Sequence, residues 1–390
     1  HTLKEARGRR KFRLGRLLVA AQVALTLLLI AAAGAFVRSL QNLRSMDTGF
    51  KERNVLMFQL DPRQVIHDRA QATSLYDRLL ERINGLPGVE SAALSRVAYS
   101  RGIWGDTILV PGDRTAHVIR GNFITPRYFE TLSIPLRAGR TFGPEDSLAA
   151  PKTAIVNETL ARKFFPGAPP VGRHFRLADA DADTTIVGVV RDFTYNHIRE
   201  DTPPLIFLPY AQFPGNLPNL TVRTSGTAAE IRQAIKEVAG PLPVLTATRL
   251  TELVDRTLAT EELVARLATF FGLLAISLAS IGIYGILSYA VAGRTREMGI
   301  RLALGARPGQ VRWIVLREML GLVAAGTAVG IAGAVAGGRL VGNLLYGLKG
   351  SDPATLIGAS MLLVGVAAAA AYWPARRASR IDPLAALRYE

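Results

Sequence analysis

Three aspartates at alternate positions, Asp179, Asp181 and Asp183, open a pattern that could hold calcium, since carboxylates two residues apart in a loop can converge on one hard cation. The pattern then fails. Thr184 stands where such a loop needs glycine and Val190 where it needs a bidentate glutamate, so the expectation is an acidic turn between strands. The five histidines, His1, His67, His117, His174 and His197, are scattered rather than spaced for a metal or a catalytic triad. No Gly-x-x-x-x-Gly-Lys-Ser/Thr phosphate loop, His-Glu-x-x-His or Gly-x-Ser-x-Gly occurs. The chain is therefore expected not to be an enzyme, with no catalytic, cofactor-binding or metal-binding residues. Asn157-Glu-Thr159 and Asn219-Leu-Thr221 match the glycosylation pattern, but Asn157 is better placed to cap a helix.

The elements around these residues explain why chemistry is scarce. Half of the chain is apolar (49%) while 20% is charged, and the apolar residues segregate into four charge-free runs: Leu17–Val37, Leu267–Ala292, Met319–Gly338 and Ala354–Trp373. Each is long enough to cross a hydrocarbon core, which needs about 20 helical residues. The first follows a basic segment and is too long for a signal peptide. The last two are rich in Ala and Gly and must rely on helix packing. Gly326 and Gly330, and Gly333 and Gly337, are spaced four apart, so each pair lets another backbone approach closely. Mid-span ionisable residues, which an ion-coupled pump would need, are missing. Arg317 and Glu318 border the third span beside Trp313 and read as an interfacial anchor.

Charge then gives an orientation. Of the net +16, the segments 1–16, 294–318 and 374–390 together carry 17 basic residues against five acidic, while 38–262 carries 27 against 25. The positive-inside rule places the three basic segments in the cytoplasm and the long neutral stretch outside. A basic excess concentrated at helix ends, with no folded basic face, excludes a nucleic-acid partner and implies contact with membrane lipids. There is no cysteine, so the outer domain is not a disulfide scaffold. The expected organisation is a cytoplasmic segment 1–16, a first span 17–37, an outer domain 38–262 and a helical domain 263–390. The last holds a second span 267–292, a cytoplasmic segment 293–312, a third span 313–338, a fourth span 354–373 and a cytoplasmic tail 374–390.

Within the outer domain, a strand at 54–61, a helix at 70–84 and a strand at 89–94 form one β-α-β unit. A strand at 220–224, a helix at 228–238 and a strand at 245–248 form another. Two such units divided by a long insertion predict a split, ferredoxin-like α+β lobe. The insertion, about 107–209, reads as a mainly β lobe with strands at 153–156, 185–190 and 205–208. The fold class is an α-helical membrane protein with four spans and a large extracytoplasmic α+β domain.

The segment Gly293-Arg294-Thr295-Arg296-Glu297-Met298-Gly299-Ile300-Arg301-Leu302-Ala303-Leu304-Gly305-Ala306-Arg307 resembles the cytoplasmic signature of FtsX-like permease domains. Arg16-Leu-Leu-Val-Ala-Ala-Gln-Val-Ala-Leu, Thr125-Pro-Arg-Tyr-Phe-Glu-Thr-Leu, Ile155-Val-Asn-Glu-Thr-Leu-Ala-Arg and Pro374-Ala-Arg-Arg-Ala-Ser-Arg-Ile-Asp-Pro-Leu agree in order and spacing with the MacB/FtsX type of ABC transporter permease. The leader Leu3-Lys-Glu-Ala-Arg-Gly resembles the start of the second half of duplicated members, and the chain begins at His1, so it is expected to be one half of a longer permease.

The resemblance implies a bacterial inner-membrane permease with a MacB-like periplasmic domain and both termini cytoplasmic. It also implies a loop that docks on a separate cytoplasmic ABC ATPase. The local residues suit that role: Arg294, Arg296 and Arg301 offer guanidinium forks, Glu297 can pair back or across, Met298, Ile300 and Leu302 can fill a groove, Gly299 lies within the same segment, and Gly305 permits the turn into the third span. ATP would be used by the partner, and the expected action is mechanotransmission for efflux. The resemblance further implies a second permease module, as a homodimer or a fused half, and a periplasmic adaptor. The alternatives are a signalling scaffold for a cell-wall hydrolase and an orphan permease without an obligate ATPase.

Overall fold

The computed structural model describes residues 2–64, 68–100, 104–112, 115–178, 180, 182–195, 202–240, 242–295, 298, 300–301, 304, 307–341 and 352–378. The chain divides into a helical unit, His1–Ser45 with Thr260–Glu390, and an α+β unit, Met46–Ala259. In chain order the elements begin with α1 (Thr2–Arg44), β1 (Val55–Leu60), α2 (Arg69–Asn84), β2 (Val89–Ser95), β3 (Trp104–Leu109), β4 (Ala116–Ile124), α3 (Tyr128–Leu132) and β5 (Leu136–Gly139). They continue with β6 (Thr153–Asn157), α4 (Glu158–Phe164), β7 (His174–Leu177), β8 (Asp183–Val190), β9 (Leu205–Pro209), β10 (Asn219–Thr224), α5 (Ala228–Ala239), β11 (Val244–Arg249) and α6 (Leu250–Thr257). The last three are α7 (Ala259–Gly293), α8 (Pro308–Val341) and α9 (Pro353–Ala378).

In the α+β unit the two β-α-β units interleave. The antiparallel order β11-β1-β10-β2 sets the first and last strands side by side, as a ferredoxin-like lobe requires. Both helices have local start signals. Asp68 accepts the Gln71 amide at 2.8 Å to begin α2, and Thr227 and Glu230 form a reciprocal capping box on α5. Their apolar faces (Leu75, Leu79, Ile83; Ile231, Ile235) cover the sheet with Phe58, Leu94, Leu220 and Val222.

The insertion closes on itself. Pairings run β4-β3-β7-β8-β6-β9, and β9 returns to β4 in parallel register, Arg120↔Leu205 to Ile124↔Pro209, which makes a six-stranded barrel. Every residue of β9 is buried because both of its faces are covered. Ile206 and Leu208 join the main core, while Phe207 turns the other way, its ring centroid 5.0 Å from Phe129 and 5.9 Å from Phe193. The barrel joins the first lobe's sheet at the strand pair Ser95↔Ile124, flanked by the bonds Arg96 N to Phe123 O and Thr125 N to Leu94 O, and the buried Asn122 side chain reinforces it by bridging both backbone groups of Val97.

The stretch after α1 is bonded to both lobes. Asp47 pairs with Arg191 at 2.6 Å, Lys51 N donates to Leu132 O at 2.9 Å, and the buried Arg223 guanidinium donates to Thr131 O, Arg53 O and Lys51 O at 2.7–3.0 Å. The Gly49 amide, and then Arg191, hold the Asp47 carboxyl below its ordinary pKa.

Among the described residues of the helical unit, four helices are long and apolar enough to cross a membrane: 15–44 of α1, 259–293 of α7, 312–337 of α8 and 353–377 of α9. The 35 residues of α7 span about 52 Å at 1.5 Å per residue, well beyond a core of about 30 Å. Both α1 and α7 run past the apolar segments expected at 17–37 and 267–292. Backbone hydrogen bonding continues into charged turns once nucleated, so hydropathy marks the span and not the helix end. Inward positions recur every fourth residue: Val19, Val23, Leu27 and Ala31 on α1, Ile283, Leu287 and Val291 on α7, and Leu363, Ala367, Ala371 and Ala375 on α9. Phe270, Phe271, Leu274 and Leu278 point outward, which costs nothing in lipid.

Candidate functional site

The residues that tie the helices together lie at the two ends of the helical unit. At the end formed by the α1 C-terminus, Arg38 pairs with Asp352, which also caps α9 through the Thr355 amide at 3.0 Å. There too Arg44 reaches Glu262 of α7 at 3.6 Å, and Arg266 pairs with the same carboxylate. At the opposite end, one carboxylate serves two cations. Glu318 of α8 takes Arg16 Nη2 of α1 at 2.6 Å, and Arg294 Nη1, just beyond α7, at 3.2 and 3.3 Å to its two oxygens. All three side chains are about one-third to two-fifths exposed, so water shares the site.

Between these ends the helices approach through absent side chains. A Cβ on Gly326 would sit 2.7 Å from Ala20 O, and one on Gly330 2.8 Å from Leu27 Cδ2 and 3.0 Å from Ala24 O, so α1 and α8 meet backbone to backbone. Gly333 leaves ordinary clearance from Leu28 at 3.4 Å, and a Cβ on Gly337 would meet nothing within 4 Å. Thr26 adds a polar contact, with Oγ1 bonded to Gln22 O at 2.7 Å and 3.3 Å from Ala275 O on α7.

The segment after α7 has two sides. Met298 is buried in the helix core with Val291 and Met319, rather than free to fill a partner's groove. Arg294 is engaged within the chain. Ile300 and Leu304 are exposed, Leu304 by 82%, and the Leu304 amide bonds to Ile300 O at 3.0 Å, which puts them one helical turn apart on one face beside the exposed Arg301. Arg296, Glu297, Gly299, Leu302 and Gly305 lie outside the described residues.

Glu318 was expected as a simple anchor, and its bridging role is legible only in three dimensions. The available signal was stoichiometric: it is one of two acidic residues against six arginines between 294 and 318.

Two open clefts of the α+β unit, of about 490 and 620 Å³, lie along the strand ends at Glu52, Arg53 and Thr227 and at Asp61, Arg63 and Arg96. Burial, and then Asp255, raise the Glu52 carboxyl, while burial pushes the Tyr99 hydroxyl up to about 12. Asp183 pairs with Arg176, and Asp179 and Asp181 lie outside the described residues. Among the described residues no three His, Cys, Asp or Glu side chains converge as a metal site. Asn157 caps α4 by accepting the Leu160 amide at 3.0 Å.

The family comparison agrees with this architecture. Residues 17–238 match the MacB-like periplasmic core domain, and residues 269–383 match the FtsX-like permease C-terminal domain. The chain is 27% identical over 289 residues to the probable syringafactin export ATP-binding/permease protein SyfD of Pseudomonas syringae pv. tomato, covering 68% of this chain and 41% of that protein. It is 26% identical to the macrolide export ATP-binding/permease protein MacB of Syntrophobacter fumaroxidans, covering 79% and 52%. It is also 27% identical to the uncharacterized ABC transporter permease YknZ of Bacillus subtilis, covering 69% and 70%. The chain thus spans about half the length of the ATP-binding/permease relatives, and the two domains it matches are permease domains. With a MacB-like core domain over more than half of its length and an FtsX-like domain over its last three helices, this chain belongs to the MacB/FtsX family of ABC transporter permeases.

Proposed function

We propose that the chain is the membrane-spanning permease of an export system, oriented with both ends of the helical unit's chain in the cytoplasm and the α+β unit outside. A separate ABC ATPase would dock on the segment after α7. The observation that carries this reading is the two-sided character of that segment. Met298 and Arg294 fix it to the bundle, while Ile300 and Leu304 project from a strongly basic end. An exposed apolar pair among arginines is suited neither to water nor to lipid; it fits a protein groove with an acidic rim.

ATP binding in the partner would move this segment, and α1 and α7 would carry the motion outward as mechanotransmission. The relatives named for syringafactin and macrolide export support efflux over a signalling scaffold. A second permease module and a periplasmic adaptor complete the assembly in this reading.

The test is purification of the full-length protein in detergent with the cell's soluble ABC ATPases, beside a Leu304→Glu variant. Wild type should retain an ATPase, and the correctly inserted variant should lose it. Equal retention by both forms, or none by either under conditions that preserve a known complex, would reject the reading.

A further inference from the structure

The pairing at Glu318 carries more than anchorage. One carboxylate faces two guanidinium groups, so Arg16 and Arg294 share Glu318 between them. The two arms are unequal. Arg16 makes the short contact at 2.6 Å, whereas Arg294 straddles both oxygens at 3.2 and 3.3 Å. Exposure of the three side chains between 33% and 41% keeps the longer arm in the range where water and ions compete with it. Arg294 also belongs to the segment that displays Ile300 and Leu304, so a protein seated there arrives beside it.

We infer that Glu318 is a placeholder counter-ion, holding Arg294 against α8 until a carboxylate of the docked ATPase takes its place. This rests on the docking reading above. Removal of Arg294 would leave Glu318 still paired with Arg16, so no bare charge results, and α1 would stay tied to α8 through that pair and the close backbone approach at Gly326 and Gly330. The loop would be released while the α1–α8 seam is kept. Exchange of one carboxylate for another changes no net charge on the chain, which keeps the step reversible.

The experiment titrates the purified ABC ATPase retained by wild type against the full-length protein in phosphatidylethanolamine/phosphatidylglycerol nanodiscs, with Glu318→Gln, Arg294→Gln and the double variant. Removal of the internal competitor should tighten binding roughly two- to five-fold. Arg294→Gln should weaken it at least about ten-fold. The double variant should match Arg294→Gln alone, since Glu318 then has nothing to withhold. If Glu318→Gln fails to insert, Glu318→Asp, which keeps the charge but not the reach to both arginines, must tighten binding by a smaller factor.

Unchanged or weaker binding in an inserted Glu318 variant would make the residue a brace and overturn the inference. Insensitivity to Arg294→Gln with wild-type binding intact would overturn it while leaving docking standing. A wild-type protein that binds no ATPase would overturn both.

Discussion

The helical unit and the α+β unit solve the packing problem with opposite materials. Where α1 meets α8, a Cβ on Gly326 or Gly330 would fall 2.7 or 3.0 Å from a backbone oxygen of α1, and the inner face of α9 is largely alanine. In the barrel lobe, Phe207, Phe129, Phe193 and Tyr128 fill one side of the sheet with rings whose centroids lie 5.0–6.3 Å apart. The difference follows from the surroundings. In water, burial of a large apolar side chain is itself the driving force. In lipid, a leucine gains nothing by leaving hydrocarbon for a helix interface, so close dispersion contact and a few polar ties must do the work. Each unit should therefore be fragile where the other is tolerant.

The largest effect is expected from Phe207→Ala, which empties a fully buried site ringed by aromatics. It should cost about 3–5 kcal/mol. Trp104 is the single tryptophan of the α+β unit, so its fluorescence in a Trp313→Phe/Trp373→Phe background should report a lower denaturant midpoint while helical-unit insertion is unchanged. A midpoint equal to wild type would mean that ring packing does not support the barrel.

Next in size is Gly326→Leu, which forces a side chain against Ala20 O and should destabilise the bundle by about 1–3 kcal/mol, read as earlier thermal aggregation in detergent. Gly337→Leu is the matched control. It has open space and should stay within about 0.5 kcal/mol of wild type. Equal behaviour of the two would remove the backbone-contact argument.

A smaller, pH-selective effect is expected at Asp146 in the barrel lobe. Its burial would raise its pKa, but Arg140 at 2.7 Å, the Gly143 amide at 2.9 Å and Thr153 at 2.9 Å outweigh that and hold it below the ordinary 3.8. A depressed carboxylate stabilises the fold fully above its unfolded pKa and loses that contribution as pH falls through the folded value. Asp146→Asn should therefore be less stable than wild type at neutral pH, with the gap narrowing below about pH 4. A gap that is constant with pH would show that the ion pair contributes nothing.

Much of the architecture is legible along the chain because its causes are local or periodic. The four spans follow from uninterrupted apolarity, and the split β-α-β units from alternation, a helical stripe and the Leu86-Pro-Gly-Val89 turn, in which Gly88 adopts φ +79°. The functional end is less legible. Local chemistry made Arg294 and Met298 appear alike as outward-facing contact residues. The fold turns Met298 into the core and gives Arg294 a partner 24 positions away on another helix.

What the sequence alone determined is therefore the division into membrane and extramembrane parts, the helix periodicities and the basic ends, since hydropathy and charge act on each segment independently. Only the tertiary structure decided that the insertion closes into a barrel, that Gly326 and Gly330 seat against α1 while Gly337 meets open space, and that Glu318 joins Arg16 to Arg294. These depend on which distant segments become neighbours. Strand pairing, a missing side chain and a shared carboxylate have no sequence period to announce them; their energies exist only once the partner is within a few ångströms.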